Sequence, residues 1–356
     1  MSTTVEKPVR PTVDALRAFC VSVLAKAGVS AAHSAITADA LVQADAWGVF
    51  THGTKLLRGY VRRLNAGGFR SDVEPVVISE GPAWGLVDGH SALGQVTGAF
   101  AMRTAIRKAQ SAGIGYVGVR NSNHFAAAGY YSWLAAREGL IGIAMCNDVP
   151  SVAAPGSRKA VTGTNPLAYA IPAGERDPMM LDIATSTVAG GKVYAARQLG
   201  KPIAADWIVG PDGLPTTNAN LYPEQASLAP MAGHKGYGLS LLIETLSGIL
   251  TGAAVTWQVG NWMWGDQTQP TRHGAAFLAI DVAAIAPREE FTSRIHALID
   301  EIHSAPTADG VERILLPGER EWANYRRALI SGIPLPPDVI APLEEVARDA
   351  GLTLPW

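Results

Sequence analysis

The sequence is poor in cysteine, in basic clusters and in long apolar runs, and each shortage excludes a class of protein. Its 356 residues contain two cysteines, Cys20 and Cys146, both within apolar runs. This predicts buried free thiols, and no Cys or His spacing suggests a disulfide framework or a metal site. Lysine and arginine total 29 against 31 aspartate and glutamate. A net charge of −2 without a basic stripe argues against nucleic-acid binding.

Every apolar run is interrupted well before the roughly 20 residues that a transmembrane helix needs. Residues 1–10 contain no apolar segment of the kind found in a signal peptide. Hydrophobic residues make up 48% of the chain and charged residues 17%, which predicts a sizeable folded core. We therefore expect a soluble cytoplasmic protein with no membrane partner.

Helical periodicity dominates both ends of the chain. Ser30 is a candidate N-cap of a helix through Trp47, and Thr51 of a third helix that stops at Gly67. Between the helical ends, strand-like and helical runs alternate over residues 76–78, 84–87, 92–112, 114–119, 126–138, 140–146, 167–171, 179–183, 235–250 and 275–280. The last predicted helices cover residues 288–304, 318–331 and 337–350.

This order of elements predicts a mixed α/β fold. Residues 8–72 and 286–356 would form one helical unit from the two termini, and residues 73–285 a mixed α/β domain. Gly113, Gly115 and Gly118 have the Gly-x-Gly-x-x-Gly spacing of a Rossmann fold, but they follow a helix and enter a strand. A dinucleotide fingerprint follows a strand and opens a helix, so we expect no Rossmann domain.

A polar loop, Asn121-Ser122-Asn123-His124-Phe125, lies at a predicted strand-to-helix junction, where α/β enzymes place their chemistry. It resembles the signature of the malate/L-lactate dehydrogenase family, whose members lack a Rossmann domain. Other stretches match the same family in order and spacing: Thr51-His52-Gly53, Gly163-Thr164-Asn165-Pro166, Asp182-Ile183-Ala184-Thr185-Ser186, Gly190-Gly191-Lys192, Gly233-His234-Lys235-Gly236 and Pro317-Gly318-Glu319. The resemblance implies an L-sulfolactate dehydrogenase-like fold, NAD or NADP as cofactor, with 73–285 as the cofactor-binding domain, and a homodimer.

His52 is the first candidate for acid/base chemistry. If it lies in the first turn of a helix, the helix dipole favours its neutral form, whereas a carboxylate partner would raise its pKa more strongly. The resemblance supplies that partner: Asp182 would orient His52, and Thr51 would complete the relay. His124 is the rival base, or a residue beside the nicotinamide, and it could also be purely structural.

The resemblance also implies the ligand contacts. The cofactor would contact His124, Phe125, Ala126, Asn147, Asp148, Asp182, Ile183, Ala184, Lys235, Gly318 and Glu319. The substrate would contact Thr164 and Asn165, and its carboxylate would be held by Lys55 or Arg58.

Three positions depart from the family pattern. Leu56 stands where many members have an arginine that suits a substrate carboxylate, so either Lys55 or Arg58 replaces it or the substrate differs. Asp148 stands where a serine is usual, and it would favour a cationic or amine-bearing substrate. Ala126 replaces a glycine, at little cost if its φ angle is negative.

These observations predict hydride transfer between nicotinamide and C2 of a 2-hydroxy acid/2-oxo acid pair. A reductase of cyclic 2-imino acids and a non-catalytic binding protein of the same fold are the alternatives. A hydrolase built on Thr51, His52 and Asp182 is disfavoured because Thr51 adjoins His52 in the chain. The segment with Trp257, Trp262 and Trp264 could line a pocket, cover a dimer interface or lie in the core.

Overall fold

A computed structural model describes residues 9–356 of the chain. Pro8, where the predicted helical unit begins, lies outside the described residues, as does most of the segment inspected for a signal peptide. The helices are α1 (Val13–Lys26), α2 (Ala31–Ala46), α3 (Leu57–Ala66), α4 (Gly94–Ala112), α5 (Ala128–Ala136), α6 (Gly190–Gln198), α7 (His234–Glu244), α8 (Val282–Ile285), α9 (Arg288–Ser304), α10 (Glu319–Ser331) and α11 (Pro337–Ala350). No helix within residues 9–356 is both long and apolar enough to cross a membrane.

The strands form two sheets. They are β1 (Val76–Gly81), β2 (Trp84–Asp88), β3 (Ile114–Ser122), β4 (Leu140–Cys146), β5 (Val152–Ala153), β6 (Ala160–Thr162), β7 (Leu167–Ala173), β8 (Arg176–Ile183), β9 (Ile208–Val209), β10 (Pro215–Thr216), β11 (Ser227–Leu228) and β12 (His273–Asp281). The central sheet has the order β1-β2-β3-β12-β4-β7-β8, and only β2 and β3 pair in parallel. The small sheet has the order β10-β9-β11-β5-β6. The predicted mixed α/β fold is confirmed.

Helices α4 and α5 pack on the central sheet, since their alanine-rich faces allow close approach to the strands. Gly142 of β4 shows how tight this packing is: a Cβ there would come 2.3 Å from the carbonyl oxygen of Ser132 on α5. β3 and β12 are neighbours at the centre, so the ends of both strands lie close together. This places the His124 loop beside the residues around His273.

The two chain termini share one apolar cluster. Most of its buried residues come from α1, α2, α3 and α11, among them Leu16, Leu41, Tyr60 and Leu343, and the others come from α4, α10 and connecting segments. By contrast, α9 packs through Ile295 and Ile299 against Ala173 of β7. The division of the chain into a terminal helical unit and a central domain stays a prediction.

The third predicted helix begins later than expected. Two 3₁₀ turns, Phe50–His52 and Thr54–Leu56, precede α3, and Thr51 caps no helix. The reason is Asp45 on α2, whose Oδ2 accepts hydrogen bonds from the backbone N (3.0 Å) and hydroxyl (2.5 Å) of Thr54. A Cβ on Gly53 would lie 1.8 Å from Asp45 Oδ1, so this approach requires glycine.

Candidate active site

The His124 loop is tied down by Asn123 before it. The Asn123 Nδ2 donates to the carbonyl oxygens of Ser91 (2.9 Å) and Ala92 (2.7 Å), and its Oδ1 accepts from the Thr271 hydroxyl (2.6 Å). Ala126 has a φ of 66°, in the left-handed region. The condition under which the alanine would cost little, a negative φ, is therefore not met, and the alanine costs roughly 1–2 kcal/mol there.

His124 is held between aromatic rings. Its ring stacks on the indole of Trp262 at a centroid distance of 4.4 Å, and its Nδ1 is 2.8 Å from the hydroxyl of Tyr60. Burial lowers the pKa of His124 to about 3, against the opposing charge of Asp148. His124 is therefore neutral at physiological pH, which suits a ligand contact better than proton exchange. Trp262 is buried, whereas Trp257 and Trp264 of the same segment are exposed.

His52 lies beside His124 but is open to proton exchange. The two rings are 6.0 Å apart between centroids and nearly parallel. His52 Nδ1 is 2.9 Å from the exposed hydroxyl of Thr51, and no residue within 9–356 hydrogen-bonds its Nε2. Burial lowers the pKa of His52, and the charge of Asp148 opposes this shift. The helix-dipole argument does not apply, because His52 precedes α3 by five residues.

Asp182 does not pair with His52 in this structure. Its Oδ2 accepts the backbone N–H of Gly129 at 2.7 Å, so the carboxylate caps the N-terminus of α5 instead. Burial raises the pKa of Asp182 to about 6, while the N–H groups of Gly129 and Ala128 oppose the shift. The Asp182 residue nevertheless has an exposed surface. The predicted Asp182–His52 pair is absent among the described contacts, and so is a Thr51–His52–Asp182 hydrolase triad.

Asp148 is the carboxylate that acts on His52, and it is bonded to a residue that the sequence did not single out. Asp148 Oδ1 is 3.1 Å from Nε2 of His273, which is 2% exposed. Burial acts to raise the pKa of Asp148, but the hydrogen bond and charge of His273 outweigh it and hold that pKa low. His273 opens β12 and carries no motif, so only strand pairing could have indicated it.

The two predicted carboxylate clamps are engaged elsewhere. Lys55 Nζ lies 2.7 Å from Asp338, and Arg58 lies 2.5 Å from Glu345. Both partners belong to α11, which packs against α3 through the apolar stripe of the helical cluster. Both groups are paired in this structure, and their predicted role in binding the substrate carboxylate stays a prediction.

Asn147 and Asn165 are part of the scaffold below the site. Both are 0% exposed, and both amide groups donate to Glu244, at 3.2 and 2.8 Å. Asn165 Oδ1 also accepts the backbone N–H of Asp148 at 3.1 Å. These bonds leave neither amide donor free for a ligand, which contradicts the predicted ligand contacts of their side chains.

The remaining predicted ligand-binding residues lie in several different elements. The ring of Phe125 is buried and stacks on that of Tyr131, and its predicted ligand contact stays a prediction. Ile183 and Ala184 end β8, and Gly318 packs on the backbone of Met180 in the same strand. Glu319 borders a cavity of about 200 Å³ whose other lining residues include Arg176, Asp177, His303, Arg313, Trp322 and Arg326. Lys235 in the first turn of α7 and Thr164 before β7 form no side-chain bonds to residues 9–356.

Comparison with known proteins agrees with this architecture. Residues 12–344 match the family model for malate/L-lactate dehydrogenase. The chain is 40% identical to malate dehydrogenase of Pyrococcus horikoshii, over 98% of this chain and 97% of that protein. It superposes on sulfolactate dehydrogenase of Methanocaldococcus jannaschii with a TM-score of 0.90, at 35% identity over 97% of this chain and 98% of that one. A pyrroline- and piperideine-2-carboxylate reductase of Pseudomonas putida is 30% identical over 95% of this chain and 97% of that protein. The fold that the resemblance implied is confirmed, and the chain belongs to the malate/L-lactate dehydrogenase family.

Proposed function

We propose that this protein is an NAD(P)-dependent oxidoreductase that moves a hydride between nicotinamide C4 and C2 of a 2-hydroxy acid or 2-oxo acid. The observation that carries the proposal is His52: its Nδ1 bonds Thr51, its Nε2 is free, and it stands next to a neutral His124. The malate and sulfolactate dehydrogenases among the relatives support this reaction class.

His52 exchanges the proton of the reaction. In reduction its Nε2–H protonates the carbonyl oxygen of the substrate, and in oxidation Nε2 takes the proton of the hydroxyl. Thr51, bonded to Nδ1 and exposed, passes the proton to water. The charge of Asp148 favours the imidazolium form and so keeps both protonation states accessible.

The cofactor would lie along the edge from the His124 loop past Asp182 to Glu319. The residues fit such a molecule: His124 offers a flat neutral surface at one end, and the cavity beside Glu319 accepts a nucleoside at the other. When bound, the nicotinamide supplies or accepts the hydride. Lys235 and the backbone N–H groups at the start of α7 would hold a phosphate.

With Lys55 and Arg58 engaged, Lys192 would hold the carboxylate of the substrate. It lies in the first turn of α6, and a Cβ on its neighbour Gly191 would come 3.8 Å from Cγ2 of Thr51. Lys192 forms no ion pair within residues 9–356. Its ammonium group is therefore free to pair with a ligand on the Thr51 side of the cleft.

A homodimer would form through α7 and the turn that follows it. Leu241, Leu242, Ile249 and Leu250 are all exposed, at a spacing that repeats after about two helical turns. Exposed apolar patches of this kind favour a protein interface. Light scattering of the protein, compared with an Ile249→Asp variant, would show a dimer that the charge weakens.

A reductase of cyclic 2-imino acids is the second candidate. Asp148 favours a cationic iminium group, and the Pseudomonas putida relative carries out such a reduction by name. The decisive assay follows nicotinamide absorbance with NADH and with NADPH, using open-chain 2-oxo acids and cyclic imino acids. Turnover of the oxo acids would support the first proposal, and turnover of the imines alone would support the second. Cofactor binding without any turnover would contradict both.

A further inference from the structure

A series of hydrogen bonds links Asn123, Thr271, His273 and Asp148, and the donor of each bond follows from the bond before it. It starts at Asn123, whose Nδ2 donates to two backbone carbonyl oxygens, so Oδ1 must face Thr271. Oδ1 can only accept, and therefore the Thr271 hydroxyl donates its hydrogen to it at 2.6 Å. The hydrogen of Thr271 is thus committed to Asn123.

The hydrogen bond from Thr271 to Asn123 determines whether Nδ1 of His273 carries a hydrogen. Its Nδ1 is 2.8 Å from Thr271 Oγ1, which has no hydrogen left to give. Nδ1 must therefore carry a hydrogen and donate it. A neutral histidine has only one ring N–H, so its Nε2 would then hold a lone pair.

The other side of His273 faces a carboxylate. Nε2 lies 3.1 Å from Asp148 Oδ1, which already accepts the backbone N–H of Val149 at 2.8 Å. A lone pair on Nε2 would oppose the lone pairs of Oδ1 inside the protein, so one proton must lie between the two atoms. The hydrogen bond from Val149 to the same Oδ1 favours the charged carboxylate, and this places the proton on Nε2. We propose that His273 is a buried imidazolium whose counter-ion is Asp148.

The surroundings of the pair suit this charge state. The charge of Asp148 also acts on His52, His124, Tyr60, Tyr222 and Cys146, but within residues 9–356 none of these side chains hydrogen-bonds to it as His273 does. Glu244 accepts hydrogen bonds from the side-chain amides of Asn147 and Asn165. A buried carboxylate without a cation would be costly, so each partner keeps the other charged.

The pair has a consequence for the active site, and this part rests on the proposed role of His52. Asp148 adds a negative charge that raises the pKa of His52, while His273 keeps the pair neutral overall. His273 is a positioning residue: it acts on the proton chemistry only through Asp148.

Nitrogen-15 NMR of the full protein labelled at histidine tests the charge state without any assay of activity. At pH 7 both ring nitrogens of His273 are expected to be protonated. In Asp148→Asn, the new amide can donate to Nε2, so one ring nitrogen becomes unprotonated. The spectrum of His273→Gln assigns the signals by their loss. Glu74→Gln is a matched control, because it changes a carboxylate that lies 3.0 Å from another histidine, His33, and it should leave the His273 signals unchanged.

One unprotonated nitrogen on His273 in the unaltered protein would overturn the proposal, whether or not Asp148→Asn folds. The same spectra give the titration midpoint of His52, which should fall in Asp148→Asn and stay in place in Glu74→Gln. An unchanged midpoint in Asp148→Asn would remove the link to His52. An inactive protein with a doubly protonated His273 would refute the proposed function and leave the ion pair standing.

Discussion

The indole of Trp262 lies parallel to the imidazole of His124, with 4.4 Å between the ring centroids and 19° between the planes. Tyr60 contacts both rings, so the three side chains form one aromatic stack that joins the helical cluster to the His124 loop. Trp262 also contacts α3 at Gly59, where a Cβ would come 3.0 Å from the indole. The stack holds His124 in place and excludes water from it.

Removing the indole should therefore loosen and rehydrate His124. We expect Trp262→Ala to lower the free energy of unfolding by roughly 3–5 kcal/mol and to raise the pKa of His124 from about 3 towards its usual value, because burial is the main cause of the low pKa. Urea denaturation and an NMR titration measure the two effects. Trp264→Ala is the control, since Trp264 is 75% exposed; equal losses in both variants would contradict this account.

His52→Ala should lower kcat by roughly 10²–10⁴-fold. The residue is the proposed proton carrier, and His124 cannot replace it while its pKa is held low. Steady-state kinetics with a 2-oxo acid and the preferred cofactor measure the loss. His90→Ala changes an exposed histidine of another loop and should stay near the unaltered rate. A kcat of His52→Ala within a few-fold of the unaltered protein would reject the assignment.

The pH dependence should follow the lowered pKa of His52. Oxidation needs the neutral ring as a base, so kcat/KM for the hydroxy acid should rise with pH, with a midpoint below the ordinary value of 6.5. Reduction needs the protonated ring, so its kcat/KM should fall as pH rises through the same midpoint. Profiles in both directions, measured between pH 4 and 9, test this; a midpoint above 6.5 is incompatible with the burial of His52.

Lys55→Ala and Arg58→Ala should leave the substrate KM unchanged, because both side chains bind carboxylates of α11. Each should cost less than about 1 kcal/mol of stability, as expected for exposed ion pairs. Lys192→Ala should instead raise KM for the acid about tenfold or more with a smaller change in kcat. A rise in KM for Lys55→Ala or Arg58→Ala, with none for Lys192→Ala, would instead support Lys55 or Arg58 as the residue that binds the substrate carboxylate.

Asp45 should make stability depend on pH. It is 1% exposed, and burial raises its pKa from 3.8 to about 7, although the hydrogen bonds from Thr54 oppose the shift. The folded state then binds more protons than the unfolded state between those values, so the free energy of unfolding should fall as pH rises from 4 to 8, by on the order of 4 kcal/mol. Asp45→Asn should reduce this slope in urea denaturation; a slope equal to that of the unaltered protein would argue against it.

Local patterns predicted the elements well. The bounds of β4, α9 and α11 agree with the structure at both ends, and Ser30 caps α2 through the N–H of His33, as predicted. Both cysteines are buried and free. Each of these properties depends on the spacing of apolar residues or on cap chemistry within a few positions, which is present in the sequence itself.

The tertiary structure decided which residues meet. Lys55 pairs with Asp338, which lies 283 positions away in the sequence, and His273 pairs with Asp148, which lies 125 positions away. No periodicity encodes such pairs, because they arise when strands and helices distant in the chain are packed together. The sequence by itself therefore determined most of the longer helices and strands, the family and the candidate bases His52 and His124, but it did not indicate the short strands of the small sheet. Packing decided that Asp148 rather than Asp182 is the carboxylate that acts on His52.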